Sequence, residues 1–278
     1  MVCKLLKSLY RLKQARRAWY KALTDYLHGE GFEALQCEPC VFVKMVGMAA
    51  FAVIAIYVDD LVLIAIEQAV VKTIKAMILR GFRAKELGSI NSLLEVSITR
   101  VHARRKMWLS QPQQIQTIVD KFDLTHAHPS LLPATSGSRL KKPAVVPRGD
   151  EMADIASKPY RQAVVSLVFL MLATRPDIAF AVQDVSRFLN SYRRPHWESV
   201  KGITKYVKGT SSYSLEFSGG SATLSAFADS DYTANVEDRK SISGYVTNIG
   251  SWALLQELGH QQHTTKMRED NQACIVIA

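Results

Sequence analysis

The stretch Ala49-Ala50-Phe51-Ala52-Val53-Ile54-Ala55-Ile56-Tyr57-Val58-Asp59-Asp60-Leu61-Val62-Leu63-Ile64-Ala65-Ile66 decides how this chain reads. Its apolar, β-branched halves predict two strands, and the two acids fall where the strands join, at the tip of a hairpin. Two explanations compete for Asp59 and Asp60. Asp favours turns through hydrogen bonds to its own backbone. A tight two-residue hairpin, however, favours Gly or Asn, which this turn lacks, so the pair also reads as kept for its charge. Adjacent carboxylates at a strand junction supply the hard oxygen donors that divalent cations and phosphoryl transfer require. A membrane span is excluded, because two Asp at its centre would cost roughly 2.5–3.5 kcal/mol each.

Outward from the hairpin, charge is uneven. The 278 residues carry a net charge of +10, which favours a polyanionic partner. Lys4, Lys7, Arg11, Lys13, Arg16, Arg17 and Lys21 all precede the first acid, Asp25. A basic start of this kind fits a targeting peptide, but Trp19, Leu23, Tyr26 and Leu27 continue it as an apolar face at helical spacing, which suits a folded segment better. The cations on that helix read as phosphate contacts beside a nucleic-acid strand, against the alternative of an ordinary solvated face. With 48% hydrophobic residues the chain holds enough apolar mass for one large or two ordinary domains.

Cys3, Cys37, Cys40 and Cys274 are too few for a disulfide framework in a chain of this length, which predicts an intracellular, non-secreted protein. Cys37-Glu38-Pro39-Cys40 has redox or zinc spacing, yet no second pair accompanies it. His260 and His263 share a helical spacing without nearby acid or Cys partners and read as surface residues. His196 and Trp197 join Val200, Ile203, Tyr206 and Val207 on one helix and read as core.

Several motifs then recur together. Tyr57-Val58-Asp59-Asp60 resembles the metal-binding box of reverse transcriptases. The segment Lys7-Ser8-Leu9-Tyr10-Arg11-Leu12-Lys13-Gln14-Ala15-Arg16-Arg17-Ala18-Trp19-Tyr20 is similar to the copia-type retrotransposon version of that polymerase. The resemblance continues through Thr174-Arg175-Pro176-Asp177-Ile178-Ala179, His196-Trp197-Glu198-Ser199-Val200-Lys201, Lys208-Gly209-Thr210, Ala228-Asp229-Ser230-Asp231-Tyr232, Asp238-Arg239-Lys240-Ser241 and Ser243-Gly244-Tyr245. It thus covers nearly the whole chain.

The resemblance implies an α+β architecture: part of a polymerase palm and fingers with a thumb, then a helical connection and an incomplete ribonuclease H-like α/β domain. Residues 1–125 would form the polymerase portion, 126–159 a Pro-rich tether, 160–212 the connection and 213–278 the truncated ribonuclease H-like region. Within the first part, Ser110 reads as the cap of a helix carrying Ile115, Ile118, Val119 and Phe122. Two more helices are expected over 160–174 and 177–191, the second opened by Pro176. Strands are expected to resume at 213–217, 222–228 and 243–249.

By the same resemblance, Asp59 is a direct ligand of Mg²⁺ (or Mn²⁺) and Asp60 supports it. Gln14 approaches the incoming nucleotide, with Lys13, Arg16, Arg17 and Tyr57 on the nucleotide and nucleic-acid side. Asp229 and Asp270 match acids of the ribonuclease H site. Cys40 matches a position that packs before an apolar strand. The implied partners are an RNA template, a DNA primer or RNA–DNA hybrid, and deoxynucleoside triphosphates, with no membrane.

The departures carry weight too. The resemblance calls for a further metal-binding Asp on a strand before the basic helix, and the chain is expected to start beyond it. Arg11 and Arg16 stand at a Gly and a Pro of the family pattern, and Glu95 stands at a Gly near the primer grip. After Ser251-Trp252 the segment that would bring the ribonuclease H Glu is expected to be missing. These departures predict weak activity or none for the chain alone, or a basic nucleic-acid-binding role without chemistry.

Overall fold

The basic segment becomes helix α1, Ala15–Gly29, whose Leu23 and Leu27 are fully buried while Arg16, Arg17 and Lys21 stay exposed. The helix stops where Gly31 takes a left-handed φ of +82° and the Phe32 N–H returns to the Leu27 carbonyl at 2.9 Å. The structure is a computed structural model that describes residues 12–46, 50–134, 140–142, 150–218, 225–231, 242–248 and 266–269.

The described residues fall into two compact units, one formed by Met1–Gly88 with Ala222–Ser230 and Ser243–Ala278, the other by Ser89–Ser221 with Asp231–Ile242. In the first, β1 (Glu33–Ala34), β2 (Val41–Val46), β3 (Ala50–Tyr57) and β4 (Asp60–Ala65) form an antiparallel meander in that order. Helix α2, Gln68–Gly81, follows. One sheet face buries Phe42, Ala52, Ile54 and Ile56 in a core with Leu23, Leu27, Ile74, Met77 and Ile78. Each buried Leu, Ile, Met or Phe side chain there contributes about 1.5–3 kcal/mol by leaving water. Gly81 is required where it stands, because a Cβ there would meet the Tyr26 ring at 2.6 Å.

In the second unit, β5 (Ser92–Leu93), β6 (Val96–Val101), β7 (Lys106–Ser110) and β8 (Leu215–Ser218) form another antiparallel sheet. Five helices accompany it among the described residues: α3 (Pro112–Lys121), α4 (Asp150–Ser157), α5 (Tyr160–Ala173), α6 (Ala179–Ser186) and α7 (Arg194–Gly209). Ile115, Ile118 and Val119 of α3 share one core with Leu167 and Leu170 of α5, Val182 and Val185 of α6, and Val200, Ile203 and Val207 of α7. The helix expected to carry Ile115, Ile118, Val119 and Phe122 is therefore packed within this helical group.

Several expectations need correction. Ser110 is not a cap: it pairs with Ser97 as the last residue of β7, and Gln111 occupies the N-cap position without a side-chain cap bond. Pro112 opens α3 instead, its fixed φ suiting a first helical position. The helix expected over 177–191 is shorter, a single 3₁₀ turn at Pro176–Ile178 followed by α6, which ends before the turn-forming Asn190 and Ser191. The stretch 126–159 includes α4, and its start is hydrogen bonded: Lys208 donates to the carbonyls of Thr125 at 2.5 Å and Ala127 at 2.9 Å. The strand expected over 213–217 forms as β8, Leu215–Ser218, and pairs along β7, with Trp108 opposite Glu216.

The Thr174-Arg175-Pro176-Asp177 motif ties α5 to the end of α7. Arg175 is 1% exposed. It donates to both Asp177 carboxylate oxygens, at 2.9 and 2.8 Å, and to the Thr210 hydroxyl and carbonyl, at 2.6 and 3.1 Å. Tyr206 and Tyr213 present their rings to its guanidinium, each at 5.5 Å.

Three further strands, β9 (Ser225–Asp231), β10 (Ile242–Asn248) and β11 (Lys266–Glu269), form a sheet ordered β10-β9-β11, with β9 and β11 parallel. Among the described residues, no helix is long and apolar enough to cross a membrane.

Candidate functional site

The hairpin forms as its sequence predicts, with β3 and β4 paired from Ala52↔Ala65 to Tyr57↔Asp60. That register leaves Val58 and Asp59 as a two-residue loop, and Asp60 begins β4. Tyr57, Val58, Asp59 and Asp60 are all exposed. The acids sit at the solvent end of a buried run, so neither is desolvated as its apolar neighbours in sequence suggest. Directly paired residues share a face, so Asp60 lies on the face of Tyr57, opposite the one that Ile54 and Ile56 bury.

Val58 has a φ of +53°, a left-handed conformation that costs a β-branched residue roughly 1–3 kcal/mol. What holds it there is visible. The Trp19 indole N–H donates to the Val58 carbonyl at 2.8 Å. Trp19 in turn meets Phe82 edge-on at 5.2 Å, Phe82 meets Tyr26 edge-on at 5.2 Å, and the Tyr26 hydroxyl donates to the Met77 carbonyl at 2.7 Å. The tip is thus fastened to α1 and, through an aromatic cluster, to the end of α2. Sequence reading placed Trp19 and Tyr26 on an apolar face and missed this role; a β-branched residue at a two-residue hairpin tip was the available signal.

Because Trp19 belongs to α1, the same helix that fastens the acids presents the basic residues. Gln14 occupies the N-cap position of α1 without a side-chain cap bond, and Lys13, Gln14, Arg16 and Arg17 are exposed. Arg17 and Lys21 stand four residues apart on one face of α1, and Lys13 lies in the turn just before the helix. The fold thereby joins one element carrying cations and an exposed amide to another carrying two exposed carboxylates.

Neither Asp59 nor Asp60 is held in an ion pair among the described residues. Their carboxylate oxygens are the hard donors that a divalent cation takes. The number of acids is smaller than two such ions ask for: among the described residues, no group of three or more His, Cys, Asp or Glu gathers where an ion could sit. Asp229 lies in β9, and Asp270 lies outside the described residues, as do Cys3, Cys274, His260 and His263.

Cys40 is exposed, not packed, and so is Cys37. The Cys37–Cys40 loop is held to α1 by the Tyr20 hydroxyl, which donates to the Pro39 carbonyl at 2.9 Å. Partial burial, then the neighbouring Glu38 carboxylate, pushes the Cys40 thiol up.

Fold and hairpin together define a mixed α+β protein with an acidic strand junction beside a basic helix. A profile of the family described as Reverse transcriptase (RNA-dependent DNA polymerase) matches residues 1–136. The Retrovirus-related Pol polyprotein from transposon TNT 1-94 of Nicotiana tabacum is 35% identical over 254 residues, covering 91% of this chain and 19% of that protein. The Retrovirus-related Pol polyprotein from transposon RE2 of Arabidopsis thaliana is 27% identical over 270 residues, covering 95% of this chain and 18% of that one. The Putative transposon Ty5-1 protein YCL074W of Saccharomyces cerevisiae is 27% identical over 247 residues, 88% of this chain and 78% of that protein. No solved structure matches. The chain belongs to the reverse transcriptase family, in the form found in the Pol polyproteins of copia-type retrotransposons. It spans about a fifth of the length of the Pol polyproteins it matches, 19% and 18% in the two cases above.

Proposed function

We propose that this chain carries the metal-side hairpin and the nucleotide-side helix of an RNA-directed DNA polymerase that extends a DNA primer on an RNA template from deoxynucleoside triphosphates. The observation that carries the reading is the Trp19 to Val58 hydrogen bond, which fixes the exposed Asp59–Asp60 tip to the helix that bears Arg16 and Arg17 and is preceded by Lys13 and Gln14. Members of this family generally use a divalent metal. When bound, Mg²⁺ or Mn²⁺ supplies charge stabilisation to the primer 3′-hydroxyl and the departing pyrophosphate. Asp59 would hold it, with Asp60 beside it on β4. Gln14 orients the incoming nucleotide, Lys13, Arg16 and Arg17 neutralise phosphates, and Tyr57 lies on the strand face that Asp60 shares.

Two carboxylates without a third beside them among the described residues should bind the ion weakly, so the chain alone extends primers poorly or not at all. Residues 213–278, with Asp229 and Asp270, correspond to a degenerate ribonuclease H region. The assay is primer extension by the purified chain with Mg²⁺ and with Mn²⁺. Low or absent extension supports the reading; robust extension abolished by Asp59→Asn would overturn the claim of weakness and retain the site.

The exposed basic face of α1 favours a second reading, a nucleic-acid-binding protein without chemistry. It predicts affinity for an RNA–DNA hybrid that falls steeply with salt, because each neutralised phosphate releases counterions. Affinity unchanged between low and moderate salt would exclude it.

A further inference from the structure

Helix α5, Tyr160–Ala173, is apolar on both of its sides. Ala163, Val164, Leu167 and Leu170 are buried in the core of the second unit. On the opposite side Val165, Phe169 and Leu172 recur at i, i+4 and i+7, which sets them in one stripe, and they are 59%, 38% and 75% exposed. A helix that is apolar all round is normally a buried one, so this stripe is built to be covered. The Ser166 hydroxyl is already spent on the Gln162 carbonyl at 2.9 Å. No charged residue lies between Arg161 and Arg175, and Arg175 is itself buried.

Size, charge and symmetry point to one occupant. The three exposed side chains present roughly 300 Å² of apolar surface, the scale at which a patch marks a contact site. A stable pair buries about 800 Å² per copy, a little over half of it apolar, so the stripe supplies most of that apolar part. It has no charge for a partner to match, which leaves apolar area and shape, and a second copy brings both in equal measure. Orientation follows from the exposed cation at the start of the helix, Arg161. A parallel pair would bring two Arg161 side chains together. An antiparallel pair holds them at opposite ends, each near the last turn of the other α5, which has no basic residue and carries the negative end of the helix dipole.

We propose that two copies of this chain pair through α5, antiparallel about a two-fold axis at Phe169. Phe169 then packs on its own counterpart, and Val165 of each copy opposes Leu172 of the other, a smaller side chain against a larger one. Both copies contribute the same stripe, so the contact closes at two and does not propagate into a filament. The pairing is independent of the polymerase reading and of the Asp59–Asp60 tip.

Sedimentation velocity of the full chain, from low to high micromolar concentration, is the test. A reversible monomer–dimer equilibrium is expected. Leu172→Lys and Val165→Glu each set a charge in the apolar seam and should weaken the dimer about tenfold or more. Both positions are exposed, so the variants should fold, which far-ultraviolet circular dichroism verifies. Where a charge does disturb folding, the neutral Leu172→Gln takes its place and should weaken the dimer too. Mixing Leu172→Lys with Val165→Glu should restore the dimer, because the antiparallel seam sets the introduced ammonium of one chain against the introduced carboxylate of the other. A chain that stays monomeric throughout overturns the proposal, as does a dimer that neither variant weakens. Two weakened variants whose mixture stays monomeric overturn the antiparallel pairing, and a series of larger oligomers overturns the closed pair.

Discussion

The Trp19 indole N–H and the Val58 carbonyl, 39 residues apart in sequence, meet at 2.8 Å and fix the two-residue tip that presents Asp59 and Asp60. Trp19→Phe keeps a ring to pack on Phe82 and removes only the donor. The variant should lose about 1 kcal/mol in denaturant unfolding. Amide exchange at Val58 to Asp60 should quicken, and Mn²⁺ affinity at the tip should weaken. Unchanged exchange at the tip would show that the hairpin holds its strained turn unaided.

A second hairpin is strained in the same way. Leu94 and Glu95 connect β5 to β6 with φ values of +51° and +64°, the pattern for which Asn-Gly is the favoured dipeptide. Glu95 stands where the family pattern has Gly, so the resemblance and the backbone agree about what that position wants. Changing the pair to Asn-Gly should raise stability by about 1 kcal/mol, seen as a higher denaturant midpoint with unchanged slope. A lower midpoint would mean that the present side chains contribute contacts outweighing the backbone strain.

Arg175 should be intolerant even of Lys. Burial raises the Asp177 carboxyl, but the Arg175 hydrogen bonds and charge with the Tyr206 hydroxyl outweigh it and hold the group below its usual range. Arg175→Met removes that partner and should cost roughly 3 kcal/mol, the low end for a broken buried pair because Asp177 is 35% exposed. Arg175→Lys restores charge without the fork that engages both Asp177 oxygens and Thr210, so it should recover only part of the loss. Full recovery by Lys would show that charge alone matters there.

His196 makes stability depend on pH. Its Nδ1 accepts the Arg193 N–H at 3.0 Å, and its Nε2–H donates to the Lys141 carbonyl at 3.1 Å, so the neutral ring is the form the fold uses. Burial is the largest influence and lowers its pKa from 6.5. The folded value being the lower one, the contribution is complete above pH 6.5 and is lost as pH falls through the folded pKa. His196→Gln should flatten the stability profile on the acid side of 6.5. A profile identical to that of the parent chain would assign the acid sensitivity to other groups.

Local pattern carried a good part of this architecture. The β3–β4 hairpin was legible because apolar, β-branched halves flank the acids, and α1, α3 and α7 were legible because their buried residues recur at helical spacing. Ser110 misled because a capping residue and a strand residue look alike until the ladder partner, Ser97, is known. The partner of β7 could not be read at all, since nothing local to Lys106–Ser110 names Leu215–Ser218. At the site, the acids and cations announce themselves by composition. Trp19 does not, because a buried aromatic at helical spacing signals core before it signals a donor to a turn.

The β7–β8 pairing also sets an order of events. Trp108 and Glu216, joined at 2.9 Å, are 108 residues apart, and every helix of the second unit described here lies between them. On a ribosome, β5, β6 and β7 emerge long before their last strand, so one sheet edge waits unpaired while α3 to α7 are made. A chain cut before Leu215 would keep that edge open and be prone to self-association through it.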